Sequence, residues 1–204
     1  MAPQRKSFPR LFLARWEPFR LVGERVYLRS PERGDYEEWA SLRAMSRNFL
    51  APWEPIWPPD GLSRTSFRAR VARYAEDWRT DQAYNFFIFS NDDTLVGGIG
   101  LSNLRRGVSE TASLGYWVGE PFARRGYMTA ALPLTLDFAF EQLRLHRIEA
   151  ATLPSNSPSR ALLKRAGFYE EGQAREYLCI AGKWQDHVLF AILRGDWQAR
   201  RGRR

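Results

Sequence analysis

Cysteine is almost missing from this chain of 204 residues. Cys179 stands alone, so no internal disulfide can form, and two histidines supply no Cys/His cluster at zinc-ligand spacing. No metal is expected, and a cytoplasmic protein is. Long apolar runs are missing too. Leu11-Phe12-Leu13-Ala14 is bounded by Arg10 and Arg15, too short for the apolar part of a signal peptide or for a membrane span. Neither export nor membrane insertion is expected. There is no internal repeat and no low-complexity tract. What remains is 44% hydrophobic, 14% aromatic with eight tryptophans, and 26% charged, the composition of a globular protein with length for one domain.

The net charge of +8, from 31 basic and 23 acidic residues, invites a nucleic-acid reading until its distribution is considered. Arg5, Lys6, Arg10 and Arg15 precede every acidic residue, and Arg200, Arg201, Arg203 and Arg204 follow the last one. The body between them is formally neutral. The reading is a basic extension over residues 1–20, a domain over 21–194 and a basic tail over 195–204. Such tails either touch ribosomal RNA weakly through phosphate contacts or are simply solvated.

Along the body, Val26–Arg29 reads as a strand and Pro31–Met45 as a helix with Glu32 and Asp35 at its start. The Pro/Trp-rich piece Ala51–Pro59 reads as an ordered loop. Asp60–Asp81 follows as a longer helix, with Phe67, Val71, Tyr74 and Trp78 near one face. Asn85–Ser90, Leu95–Ser102 and Thr111–Val118 read as an antiparallel meander, turned at Asn91-Asp92-Asp93 and Arg105-Arg106-Gly107. Gly126–Gln142 is helical in composition, although Pro133 should kink it or remove a hydrogen bond. Arg147–Thr152 reads as a buried strand, and Asn156–Ala166 as a helix ended by Gly167. Glu176–Ala181 and Asp186–Leu193 complete a mixed α/β (α+β) domain.

The central chemical signal is Gly115-Tyr116-Trp117-Val118-Gly119-Glu120-Pro121-Phe122-Ala123-Arg124-Arg125-Gly126-Tyr127-Met128-Thr129, a strand that enters a helix through a basic, glycine-containing turn. Such a turn aims backbone N–H groups and a helix dipole at a phosphate, or is an ordinary connection with exposed arginines. The second signal is Asn156-Ser157-Pro158-Ser159-Arg160-Ala161-Leu162-Leu163-Lys164-Arg165-Ala166-Gly167-Phe168, a helix opening with small polar residues that cap it or reach a ligand beside it. Together the two segments resemble the acetyl-CoA site of the GCN5-related N-acetyltransferase (GNAT) family. Arg47–Pro55, Ser102-Asn103, Leu145–Ile148 and Glu176–Val188 resemble its RimJ type, which acetylates the N-terminal alanine of a ribosomal protein.

That resemblance implies a single GNAT domain with a mixed, mostly antiparallel central sheet flanked by helices, acetyl-CoA as co-substrate, and direct attack of an amine on the thioester. It implies a cradle of Arg124, Arg125, Gly126, Tyr127, Met128 and Thr129 for the phosphates. Tyr116, Trp117, Val118 and Asn156 would contact the pantetheine arm or acetyl group, and Ser159 would assist the departing thiolate. Ala123 departs from the Gln or Arg common at its position and removes one side-chain contact. Glu54 is the first candidate for a catalytic carboxylate, as base through water or as amine anchor, against a salt bridge between helices; Glu110 is the second. Trp53, Glu54, Trp57 and Asn103 would line the acceptor groove.

Three other features invite chemistry. Asp186 and His187 suggest a relay, but adjacent strand residues point to opposite faces, which favours a structural role. Cys179 suits a buried, inert thiol. Gly98-Ile99-Gly100 lacks the third glycine and following helix of a dinucleotide fingerprint. The competing functions are acetylation of a small amine such as an antibiotic or polyamine, and a ribosome-associated assembly or binding factor on the same fold.

Overall fold

The computed structural model describes residues 19–202. The reading of residues 1–20 as a basic extension falls, up to residue 18, outside the described residues. Strands β1 (Arg20–Val22) and β2 (Val26–Arg29) lead through a 3-10 turn (Arg33–Asp35) to helices α1 (Tyr36–Met45) and α2 (Arg47–Leu50). A second 3-10 turn (Ala51–Trp53) and a loop precede α3 (Arg64–Arg79), where Ser63 Oγ accepts the Ser66 N–H at 3.1 Å. That cap is worth about 1 kcal/mol. Strands β3 (Tyr84–Ser90), β4 (Leu95–Arg105) and β5 (Thr111–Val118) form the expected meander. Helix α4 (Tyr127–Asp137), strand β6 (Arg147–Thr152), helix α5 (Ser157–Ala166), strands β7 (Tyr169–Ile180) and β8 (Lys183–Leu193) and helix α6 (Arg194–Arg201) complete the chain.

The eight strands lie in the order β1-β2-β3-β4-β5-β6-β8-β7, antiparallel throughout except for the β5–β6 pair. Strand β3 explains why the sheet is covered on both faces. Its apolar residues do not alternate with polar ones, because Tyr84, Phe86 and Ile88 face one core and Phe87 and Phe89 face another. The first core takes in Leu132, Leu136 and Phe138. The second takes in Trp39, Leu42 and Phe67 from α1 and α3, with Phe67 fully buried. Burial of each such side chain contributes about 1.5–3 kcal/mol.

Pro133 sits inside α4 without ending it, and the chain continues into a π-helical stretch over Phe138–Gln142. The segment from residue 195, read as a basic tail, differs from that reading where it is described. Helix α6 buries Trp197, whose indole N–H donates to Asp137 Oδ1 at 2.8 Å, and Arg201 pairs with the same carboxylate at 2.8 Å. Arg200 donates to the Arg165 carbonyl at 2.8 Å. The charges of Arg200 and Arg201 are engaged with the body because the amphipathic helix has an apolar anchor that charge counting overlooks. Among the described residues, no helix is long and apolar enough to cross a membrane.

Candidate active site

Strands β5 and β6 pair only over three residues, Thr111–Ser113 against Arg147–Glu149. Beyond them β6 pairs with β8 and β5 with β4, so the two strands diverge and leave facing edges without a ladder. A cleft of about 970 Å³ opens there, lined on one side by Tyr116, Trp117 and Val118 and on the other by Ala151, Thr152 and Leu153. Unpaired strand edges offer N–H and C=O groups to an extended chain that carries amides of its own.

One end of the cleft is built for anionic oxygen. Arg124 and Gly126 take left-handed φ values of +61° and +83°, and α4 starts at Tyr127 without a side-chain cap. Its first N–H groups therefore lie open beside Arg124, Met128 and Thr129, all of which line the cleft. Arg125 is exposed and does not line it; its carbonyl accepts from Arg25 Nη2 at 3.1 Å. Arg25 also lies 5.8 Å from the Tyr127 ring centre, bracing the turn from β2's side of the fold. Arg165 enters the cleft wall from α5. Neither Arg25 nor Arg165 was singled out by sequence, since nothing in their local pattern ties them to a turn a hundred residues away or to a cleft wall.

At the deeper part, the hydroxyls of Tyr116 and Ser159 lie 2.7 Å apart. Burial pushes the Tyr116 phenol up to about 12, and the Ser159 contact pulls the other way. The phenol is therefore a neutral O–H at any pH near 7. Asn156 Oδ1 accepts the Ser159 N–H at 3.1 Å, the helix-capping role, while the residue still lines the cleft.

A second cavity of about 450 Å³ lies on the other side of Gly115, Tyr116 and Trp117, which line both spaces together with Glu54. Glu54 takes the ion-pair role. Arg43 donates to both of its oxygens, at 2.8 and 2.5 Å, and the Trp57 indole N–H donates at 2.7 Å. Arg43 itself sits against the Trp57 and Trp117 rings, 4.2 and 4.9 Å from their centres. Three donors converging on this carboxylate tie its loop to α1. Trp53 lines the first cavity and Trp57 the second. The β7–β8 turn reaches the same loop, with Ala181 N–H donating to the Glu54 carbonyl at 2.9 Å.

Glu110 and Asn103 are not brought to either space. Glu110 accepts from Arg106 at 3.2 Å and Gly107 N–H at 3.0 Å. Its place just before β5 is six residues from Tyr116, about 20 Å along an extended strand. Asn103 has φ +52° at a break in the β4–β5 register, and its amide meets Ser113 at 3.4 Å. Asp186 and His187 do point apart. Asp186 accepts from Gln173 and from the Glu176 N–H, while His187 is buried against the cleft with Nδ1 2.9 Å from the Gln185 carbonyl. Cys179 is exposed rather than buried, because β7 is the sheet's outer strand and most of its length lacks cover.

An open strand edge, an uncapped helix start with flanking arginines, and a pair of neutral hydroxyls fit an acyl donor with a long amide arm and phosphates. Comparison with known proteins agrees. The family described as acetyltransferase (GNAT) domain matches residues 25–169. A Bacillus subtilis (strain 168) protein named Probable N-acetyltransferase YjcK is 38% identical over 177 residues, 86% of this chain and 98% of its own length. The ribosomal protein uS5-alanine N-acetyltransferase of Escherichia coli (strain K12) is 34% identical over 179 residues, 87% of this chain and 92% of its own. The structure of Mycobacterium smegmatis RimJ in complex with CoA-disulfide superposes with a TM-score of 0.79 at 34% identity, covering 87% of this chain and 90% of that one. No group of three or more His, Cys, Asp or Glu suited to a metal ion occurs among the described residues. With a match across most of the body and relatives of this identity, the chain belongs to the GNAT family and is an acetyl-CoA-dependent N-acetyltransferase.

Proposed function

We propose that the acceptor is the α-amine of a protein N-terminus, alanine first, on a ribosomal protein met in the cytoplasm. The observation that carries this reading is the charge of the second cavity. Among the described residues its charged lining is Arg43, Glu54 and Arg70, and Glu54 is already neutralised by Arg43. A polyamine or aminoglycoside has no free carboxylate to meet there. The activity named for the Escherichia coli relative supports the same acceptor.

The chemistry asked of the residues is modest. An α-amine has a reference pKa of about 7.7–8.0, so part of it is neutral near pH 7 without a strong base. When bound, acetyl-CoA supplies an activated acyl thioester. Arg124 and the N–H groups from Gly126 to Thr129 would hold its phosphates. The edge at Val118 and the amide of Asn156 would hold its arm. Ser159, backed by the neutral Tyr116 phenol, would keep a proton next to the sulfur as the C–S bond breaks. Trp53 and Trp57 would shape the acceptor's approach, with Glu54 fixing the loop that carries them.

The test is CoA release with acetyl-CoA and short peptides that differ in their first residue, beside spermidine and an aminoglycoside. Turnover of an Ala-starting peptide, abolished when its α-amine is blocked, is the expected result. Turnover of the small amines alone would overturn the reading.

A further inference from the structure

The second cavity holds one guanidinium that the structure leaves without a counter-charge. Arg70 projects from the middle of α3 into its wall, 5.5 Å from the ring centre of Trp39. Its Nε is buried and has no hydrogen-bond partner among the described residues. Among the described residues no carboxylate forms an ion pair with it. Glu54, the one carboxylate lining the cavity among the described residues, is held by Arg43 and Trp57. Tyr74, one helical turn further on, and Asn85 and Ser102 from β3 and β4 supply the other polar groups of that wall.

Arg70 is half-buried, and leaving its buried Nε–H unpartnered beside the Trp39 ring costs free energy unless an oxygen arrives to satisfy it. The planar fork of N–H donors suits a carboxylate best, since both oxygens can be met at once. We infer that Arg70 is a specificity-determining residue of the acceptor cavity, which selects peptides carrying an acidic side chain within the first few residues of the acetylated amine.

The inference rests on the reading of an N-terminal α-amine as acceptor. Geometry supplies the link. Tyr116 and Arg70 line the same cavity, together with Gly98, Ile99 and Gly100. A peptide whose amine reaches Tyr116 through that cavity would bring its next residues into the space that Arg70 also lines. Neutral and basic side chains leave the guanidinium unmet or repel it.

The experiment compares kcat/KM on Ala-starting peptides that are identical except for Glu, Gln or Lys at the second or third position. The full chain and saturating acetyl-CoA are used, with wild type, Arg70→Gln and Arg70→Glu. Wild type is expected to favour Glu over Gln by about tenfold at one of the two positions, the worth of one charge-assisted contact, and to disfavour Lys further. The difference should lie in KM, Arg70→Gln should erase it, and Arg70→Glu should invert it toward Lys. A purely structural Arg70 would lower all three peptides together and leave their ratio alone. If Arg70→Glu does not fold, Arg70→Gln still decides. Equal use of the three peptides by wild type, or an unchanged ratio in Arg70→Gln, would overturn this inference alone. Failure of every Ala-starting peptide while a small amine turns over would instead overturn the acceptor reading beneath it.

Discussion

The phenol oxygen of Tyr116 stands 2.7 Å from the hydroxyl oxygen of Ser159, joining β5 to α5 inside the cleft. Two hydroxyls in contact act as one proton-holding unit, so their losses should not add. Tyr116→Phe and Ser159→Ala are each expected to lower kcat by about tenfold to a hundredfold, and the double variant by little more than the worse of the two. Single-turnover acetyl transfer measures this. Additive losses would show that the hydroxyls act separately.

The same phenol makes an alkaline signature. Burial raises Tyr116 to about 12, above the unfolded value of 10.0. Its contribution to stability is thus complete below pH 10 and is lost as the pH rises toward 12, because the unfolded chain releases its proton first. Chemical denaturation from pH 9 to 12 should show falling stability, with a shallower slope for Tyr116→Phe. Tyr84, raised mainly by burial and also by Asp81, contributes to the slope that remains. An identical slope in wild type and Tyr116→Phe would refute the assignment.

Glu54 supports a loop. Its side chain and that of Arg43 are 21% and 13% exposed, so removing the carboxylate strands a half-hidden guanidinium between two indoles. Glu54→Ala should cost about 2–3 kcal/mol, less than a fully buried pair would. For a chain of this size that is a fall of about 5–10 °C in Tm. Adding Arg43→Met should recover part of it. Glu54→Gln should keep the wild-type shape of the pH–rate profile; loss of its acid limb would identify Glu54 as a base after all.

Two glycines beside the site separate space from strain. A Cβ on Gly98 would lie 2.5 Å from the Trp117 indole nitrogen, whereas one on Gly115 meets nothing within 4 Å. Gly98→Ala should therefore destabilise by about 1–3 kcal/mol through overpacking. Gly115→Val should melt near wild type and raise the acceptor KM by about tenfold, since its side chain enters the space shared by both cavities. Calorimetry and steady-state kinetics on the two variants check the contrast; equal melting losses would contradict it.

Much of this was legible beforehand because short-range rules governed it. Strands β5 and β6 have the bounds read from sequence, and Asn156 and Gly167 bracket α5 as cap and left-handed terminator, with φ +98° at the glycine. The residues that escaped were set by distant partners. Glu54 is the first candidate carboxylate in the sequence and Glu110 the second, and only the fold reveals that Arg43 and Trp57 hold one beside the cleft while Arg106 holds the other far from it. Cys179 looked internal because Tyr177-Leu178-Cys179-Ile180 is apolar in sequence. Position at the edge of a sheet is a property of topology, and no local pattern encodes it. Trp197 was overlooked for the converse reason, a lone apolar anchor among arginines.

The three-residue join between β5 and β6 makes the sheet two plates, β1–β5 and β6–β8, sharing a short seam. A donor bound in that gap would span both plates, and binding to the folded form alone would add about 2.7 kcal/mol at a hundredfold excess over its Kd. Acetyl-CoA then governs more than turnover. Saturating acetyl-CoA should then raise the melting temperature and slow proteolysis of the folded chain.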